Sequence, residues 1–430
     1  MNKADNWKDQ MSFYRFFSNN NVREDDLISC LTKHCAVNCV GNKHLLLIED
    51  TTELNMEKHR NRIVSKDKLG LAGNNSDLGF FCHPTLIADP CDASLVGIID
   101  LHLWHREEDK QDKHDRNYRG LPFAEKESWR WANRAIESSK QLKDVETITV
   151  VQDREGDIYE SFCLLAKSGI DWVIRAAQNR LTVEGKLRER IDGFSISGEY
   201  EVSINSDSKK HVNRNAMLQV RYGTVELRRP ASIAVSQRDK YPETLSVQVV
   251  YVKEKADSVP AGEEPIEWVL YTSHPVDSFE DARQIIYYYT LRWLIEDLFR
   301  TLKSKGVNYE SSELESGEAL RKLLVMALMA AVQILQLRQA RDGNTNQNPS
   351  LVFSDEQIAY MEKILPHFEG KTQKQKNPYQ RNNLAWSTWI IARLGGWKGY
   401  ASQRPPGVII LHDGWMRFHN MFEGWKIARE

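Results

Sequence analysis

The period of the apolar positions changes from segment to segment along the chain, and each change predicts a different element. Residues 7–40 repeat at helical spacing, with a break at the Ser-Asn-Asn-Asn stretch 18–21. HLLLIED at 44–50 is a continuous apolar run ending in carboxylates, which predicts a buried strand with an acidic C-terminal tip. FFCHPTLIAD at 80–89 and LVGIIDLHLWHR at 95–106 predict two more strands. A helix is expected over Ala124 to Lys143, a strand at TITVVQD 147–153, a helix from Ile158 to Lys167 and a strand at WVIRAA 172–177. From 181 to 275 short alternating runs (YEVSI, AMLQV, LSVQVVYV) between polar turns predict a β-rich insertion, closing with EWVLYTS. Its loops carry Lys209, Lys210, His211, Arg214, Arg228 and Arg229. Helical spacing returns over 288–306, 317–342, 354–366 and 381–396, with loops at 343–350 and 371–381. Strands interleaved with helices place the chain in the α/β class.

Composition adds a few boundaries. At 430 residues, with 41% hydrophobic and 27% charged, the chain has the make-up of a globular protein with a large core. The net charge of −2 argues against a uniformly basic DNA coat but leaves room for a local cationic channel beside an acidic pocket. The six cysteines (Cys30, Cys35, Cys39, Cys82, Cys91, Cys163) form no CxxC pair and complete no zinc set with histidine, so free thiols in a reducing cytoplasm are expected. No apolar signal segment opens the chain. The most apolar run, Leu323 to Leu337, is short for a span and contains Gln333 and Gln336, so it reads as a buried helix.

The stretch 288–306, YYTLRWLIEDLFRTLKSKG, holds the densest chemistry. On one continuous helix Tyr289, Arg292, Glu296, Arg300 and Lys303 fall within an arc of roughly 80°, with Trp293 at its edge. Leu291, Leu294, Ile295, Leu298 and Leu302 would face a core. One reading is a solvated face laced by Arg–Glu pairs worth ~0.3–0.5 kcal/mol each. The other is a metal-binding carboxylate flanked by cations that grip phosphate. Asp50 and Asp153 end the first and fourth strands, where open α/β sheets place their ligands. Taken singly, a strand-end aspartate is more often a turn former or helix cap. Asp157 fits a capping box with Glu160 and is assigned a structural role. Glu49 points to the strand face opposite Asp50, and Asp297 lies about 100° round the helix from Glu296.

Tyr289, then two residues to Arg292, three to Glu296 and six to Lys303, resembles the signature of the insertion-sequence-4 (IS-4) family of Asp-Asp-Glu transposases, and within it the transposon-5 cut-and-paste branch. IEDTT around Asp50 and DREGDI from Asp153 resemble that family's other blocks, in the same order. So do FYRFFSNNNV at 13–22, EKESWRW at 125–131, WVIRA around Arg175, EWVLYTS around Trp268 and ARLGGW at 392–397. The resemblance implies a ribonuclease-H-like core with a β-rich insertion between the second Asp and the Glu, plus a C-terminal helical region. The implied boundaries are 1–40 (helical remnant), 41–180 (core), 181–275 (insertion), 276–310 (signature helix) and 311–430 (dimerisation region).

It further implies a catalytic triad of Asp50, Asp153 and Glu296 holding two Mg2+ ions, with Mn2+ able to substitute. Tyr289, Arg292 and Lys303 would hold the phosphate of the DNA end, Arg175 assisting, with Arg300 where the branch has lysine. Trp268 would stack on a flipped base during hairpin formation, and Trp293 would join the DNA face. The partners would be double-stranded DNA (transposon ends and target) and a second copy of the chain, with neither membrane nor nucleotide cofactor, in a bacterial cytoplasm. In the family a small end-recognising domain precedes the Tyr-Arg-Phe stretch, and here the chain starts almost at that stretch. Weak, salt-dependent and sequence-indifferent end binding is therefore expected. Two rivals stay open: a truncated inhibitor or decayed transposase acting by dimerisation, and an unrelated ribonuclease-H-type nuclease, which leaves the C-terminal blocks unexplained.

Overall fold

The computed structural model describes residues 7–107, 121–204, 214–304, 306–400 and 403–429, with side chains from Met11 onward. The expected basic loop residues Lys209, Lys210 and His211 lie outside the described residues. The first elements are α1 (Trp7–Phe17), α2 (Glu24–Asn38), β1 (His44–Glu49), β2 (Thr52–Asn55), β3 (Gly70–Leu71), β4 (Leu78–Asp89) and β5 (Ser94–Trp104). Next come α3 (Arg130–Ser139), β6 (Thr147–Gln152), α4 (Tyr159–Lys167), β7 (Asp171–Arg175), β8 (Leu181–Thr182), β9 (Gly185–Lys186) and α5 (Leu187–Asp192). The long strands β10 (Ile196–Ile204), β11 (Arg214–Arg228), β12 (Thr244–Glu254) and β13 (Glu267–Thr272) follow. The chain finishes in α6 (Phe279–Thr290), α7 (Trp293–Lys303), α8 (Gly317–Ala340), α9 (Asp355–Ile364), α10 (Leu384–Leu394) and α11 (Val408–Ile427). They divide between two units, one of Lys43–Asp50 and Gln111–Arg292, the other of Met1–Asn42, Thr51–Lys110 and Trp293–Glu430.

In the first of these units β1, β6 and β7 lie side by side and parallel. Leu45, Leu46, Leu47 and Ile48 are fully buried, as expected of a parallel strand covered on both faces. β13 joins β7 antiparallel, β12 and β11 continue the sheet, and β10 and the short β8 pair onto β11. Residues 181–275 are therefore an extension of the core sheet rather than a set of short strands apart from it. AMLQV, expected as one short strand, is part of a strand of 15 residues. It runs on through Gly223, where a side chain would collide with the Phe194 ring. The helix expected over Ala124 to Lys143 shrinks to α3. Extended backbone at Lys126 (φ −85°, ψ 143°) breaks its start into two short 3-10 turns.

In the other unit β2, β3 and β5 all pair antiparallel with β4. The helix α8, which carries the apolar run, packs on α2, α7, α10, α11 and β5. It is long and apolar enough to cross a membrane, yet its most apolar stretch is 78% buried inside the fold. Gln336, buried within it, donates to the Leu95 and Val96 carbonyls, and Gln339 accepts from the Leu95 amide. These glutamines satisfy the start of β5, which explains polar residues in an apolar helix. Apolar spacing does not single out 408–427 as a separate helix within the expected C-terminal helical region, and a glycine such as Gly414 ordinarily weakens one. Gly414 is instead required by packing: a Cβ there would strike the Ile391 carbonyl, as one on Gly395 would strike that of Ile410. ARLGGW at 392–397 is thus a close-approach point between α10 and α11.

Candidate functional site

Asp50 and Asp153 are set side by side by sheet register. Ile48 pairs with Val151 across the parallel β1–β6 ladder. Continuing that register brings Asp50 opposite Asp153, both just past their strands' C-terminal ends and on one face. The preceding pair, Glu49 and Gln152, faces the other way and is fully buried. Gln152 Nε2 donates to Glu49 Oε2 at 2.7 Å and to the Trp131 carbonyl at 3.0 Å. A Cβ on Gly156 would strike the Gln152 side chain, so the turn after Asp153 rests on the same residue. Neither Gln152 nor Gly156 was singled out in the sequence, because the strand pairing that sets Gln152 beside Glu49 has no local signature.

Donors from the same unit converge on the two carboxylates. Tyr289 Oη donates to Asp153 Oδ1 at 3.0 Å. Arg292 NH1 lies 3.4 Å from Asp50 Oδ2 and its NH2 3.9 Å from Asp153 Oδ2. Arg175 NH1 is 3.8 Å from Asp153 Oδ1, while its NH2 donates to the Glu267 carbonyl. The Arg292 guanidinium stands 5.8 Å from the Tyr289 ring centroid, and half-buried Trp268 packs edge-on to that ring at 5.2 Å. Six of the residues expected to act on DNA or metal thus form one contiguous group: Asp50, Asp153, Arg175, Trp268, Tyr289 and Arg292.

The signature is not one helix, contrary to expectation. Tyr289 lies in the last turn of α6, Arg292 lies in a turn, and Glu296, Arg300 and Lys303 belong to α7 in the other unit. The Leu291 amide reaches back to both the Tyr287 and Tyr288 carbonyls, and that of Arg292 to Tyr289. This three-residue spacing overtightens the chain and takes Arg292 out of the 3.6-residue register. On α7, Ile295, Leu298 and Leu302 are fully buried as expected, and Trp293 is 52% exposed. Lys303 Nζ donates to the Glu53 carbonyl at 2.5 Å. Arg300 and Arg338 both hold Asp297, at 2.9 and 2.8 Å, which leaves Asp297 a structural residue.

Asp157 does not make the expected capping box with Glu160. Its carboxylate accepts from the Ala177 and Gln178 amides and from Arg180 Nε, at 2.7, 3.1 and 2.5 Å. It anchors the loop that follows Arg175, a partnership set by tertiary proximity and invisible to local spacing.

Asp50 and Asp153 suit a divalent cation chemically: hard carboxylate oxygens in register, with 24% and 31% of their side-chain surface exposed. Among the described residues no group of three or more His, Cys, Asp or Glu side chains is gathered closely enough to hold a metal ion.

Burial, reinforced by the Asp153 carboxylate and opposed by Arg292 and Arg175, pushes the Tyr289 phenol up to about 12 from its ordinary 10. The hydroxyl therefore remains a donor at neutral pH. Its contribution to stability is complete below pH 10 and is lost as pH rises from 10 toward 12. Melting temperatures of the parent and Tyr289→Phe, compared across that window, should converge as pH rises. A constant difference would show that the phenol ionises elsewhere.

The chain matches the family model of the transposase DDE domain over residues 100–333, just over half of its length, and belongs to that family. Asp153 and Glu296 fall inside the matched stretch and Asp50 upstream of it. It is a transposase-family protein, so its class of work is DNA recombination on bound DNA, in a family that generally uses divalent metal ions.

Proposed function

We propose that the chain is a cut-and-paste transposase of the IS-4 family, near its transposon-5 branch, with a ribonuclease-H-like core. The observation that carries this proposal is the pair of aspartates in register at parallel strand ends, met by Tyr289, Arg292 and Arg175. Asp50, Asp153 and Glu296 would hold two Mg2+ ions, or Mn2+ in their place. When bound, such ions activate a water or hydroxyl and stabilise the leaving oxygen of an in-line displacement.

The protein's own part is binding and orientation. Arg292 and Arg175 would offer positive charge, and the Tyr289 hydroxyl a neutral donor, to the phosphate of the DNA end, a role the family resemblance also gives to Lys303 and Arg300. Nicking, hairpin closure, hairpin opening and joining are all phosphoryl transfers, differing in the attacking hydroxyl. A site that holds the phosphate fixed serves all four by positioning each nucleophile in turn. Trp293, exposed on α7, would also contact DNA, and the C-terminal helices would pair two copies in the DNA complex. All six cysteines are free thiols, which suits work in a bacterial cytoplasm.

The test is a duplex bearing the DNA that flanks the protein's own coding sequence, incubated with purified protein and Mg2+. Nicks, then hairpin ends, then joined products are expected on a denaturing gel. Failure to cut or join any strand would overturn the proposal.

Trp268 allows a sharper test. As a stacking group, Trp268→Ala should spare the first nick and slow hairpin formation by roughly 5- to 150-fold, the rate equivalent of ~1–3 kcal/mol of lost stacking. As a packing group for Tyr289, it should instead depress all steps together with the melting temperature. Pre-nicked ends and a melt on the same preparation separate the two outcomes.

A further inference from the structure

Asp50 and Asp153 already share a cation. Arg292 is only 5% exposed, and its two terminal nitrogens face one aspartate each, at 3.4 and 3.9 Å. Two neighbouring carboxylates repel, and a buried guanidinium without an anion is strongly disfavoured, so each side neutralises the other. Tyr289 and Arg175 add further donors to Asp153. A divalent cation taken up by the same carboxylates would compete with this buried guanidinium for their charge. Both can be accommodated if another anion takes over the guanidinium.

We propose that Arg292 is an internal counter-ion for Asp50 and Asp153, and that a DNA phosphate must engage it before the pair binds a divalent cation tightly. The identity of that anion rests on the DNA-processing role proposed above. Guanidinium is well matched to the exchange, because its planar fork donates to carboxylate and to phosphate oxygens with the same geometry. The Tyr289 hydroxyl, protonated at neutral pH, can follow it from carboxylate to phosphate. The consequence is positive coupling: DNA tightens metal binding, and metal must tighten DNA binding by the same factor. Carboxylates kept neutralised until DNA arrives would also restrain metal-dependent cleavage in the free protein.

The sign of one measurement separates a counter-ion from a scaffold. Mn2+ affinity is read from the electron paramagnetic resonance signal of the free ion, with and without a short blunt-ended duplex. Asp50→Asn and Asp153→Asn serve to assign the binding to this site. In the parent, duplex should tighten Mn2+ binding by roughly 5- to 150-fold, the usual span of such couplings. Arg292→Met should bind Mn2+ more tightly than the parent without DNA and should lose the gain from duplex. Arg292→Lys, which keeps the charge but not the fork, should fall between them. Should Arg292→Met fold poorly, added Mn2+ should raise its melting temperature more than the parent's.

Weaker Mn2+ binding by both Arg292 variants in the absence of DNA would make Arg292 a scaffold and overturn the proposal. So would an unchanged Mn2+ affinity in parent protein shown to be holding duplex. If the parent holds no duplex at all, the DNA role fails, while the Mn2+ comparison without DNA still decides whether Arg292 is a counter-ion.

Discussion

Asp153→Asn is expected to lose Mg2+-dependent strand cleavage by more than about 100-fold, since even outer partners of metal ligands are commonly worth 10- to 100-fold. Asp50→Asn should do the same. The asparagine isosteres are preferred to alanine because Tyr289, Arg175 and Arg292 all reach Asp153. Keeping the oxygen that accepts from Tyr289 limits the structural damage, so a near-parental melting curve with lost cleavage would assign the loss to chemistry. Glu296→Gln belongs in the same series. It lies on α7, four residues beyond Arg292, and its neighbour Asp297 is already committed to Arg300 and Arg338. Cleavage at the parental rate by any one variant would remove that residue from the proposed triad.

Asp157→Ala should cost ~3–5 kcal/mol of stability, the usual result of removing one partner from a buried ion pair. For a unit of this size that corresponds to roughly 6–20 °C in melting temperature. The Asp157 side chain is fully buried and the Arg180 side chain 8% exposed. Two backbone amides, of Ala177 and Gln178, would also lose their acceptor. The double replacement Asp157→Leu with Arg180→Met should recover much of the loss, because an apolar pair of similar bulk leaves no charge stranded. A single variant that melts with the parent would show that this loop draws its order from elsewhere.

What could be read from the sequence alone was what depends on neighbours in the chain. The continuous apolar runs at 44–50 and 147–153 mark buried parallel strands because both faces of such strands must be apolar. The 18–21 break separates α1 from α2 because a polar run cannot extend an apolar helix face. Spacing also singled out Tyr289, Arg292, Glu296 and Lys303, and the positions of Asp50 and Asp153 at strand tips. It misjudged what bound these residues: one helix where the chain makes a tight turn, and a capping box where Asp157 meets Arg180.

Tertiary structure alone decided the rest. Which strand lies beside which is a long-range pairing, so the alignment of Asp50 with Asp153, and of Glu49 with Gln152 behind them, has no local signature. The same holds for the joining of β13 to β7, which makes residues 181–275 part of the core sheet. Glycine in a sequence signals freedom or a break, whereas Gly223, Gly395 and Gly414 are there because another group occupies the space of a side chain. The turn at Leu291–Arg292 belongs with these: local helix propensity would carry α6 straight on, and the break coincides with burial of the Arg292 guanidinium beside two carboxylates that lie far away in the chain.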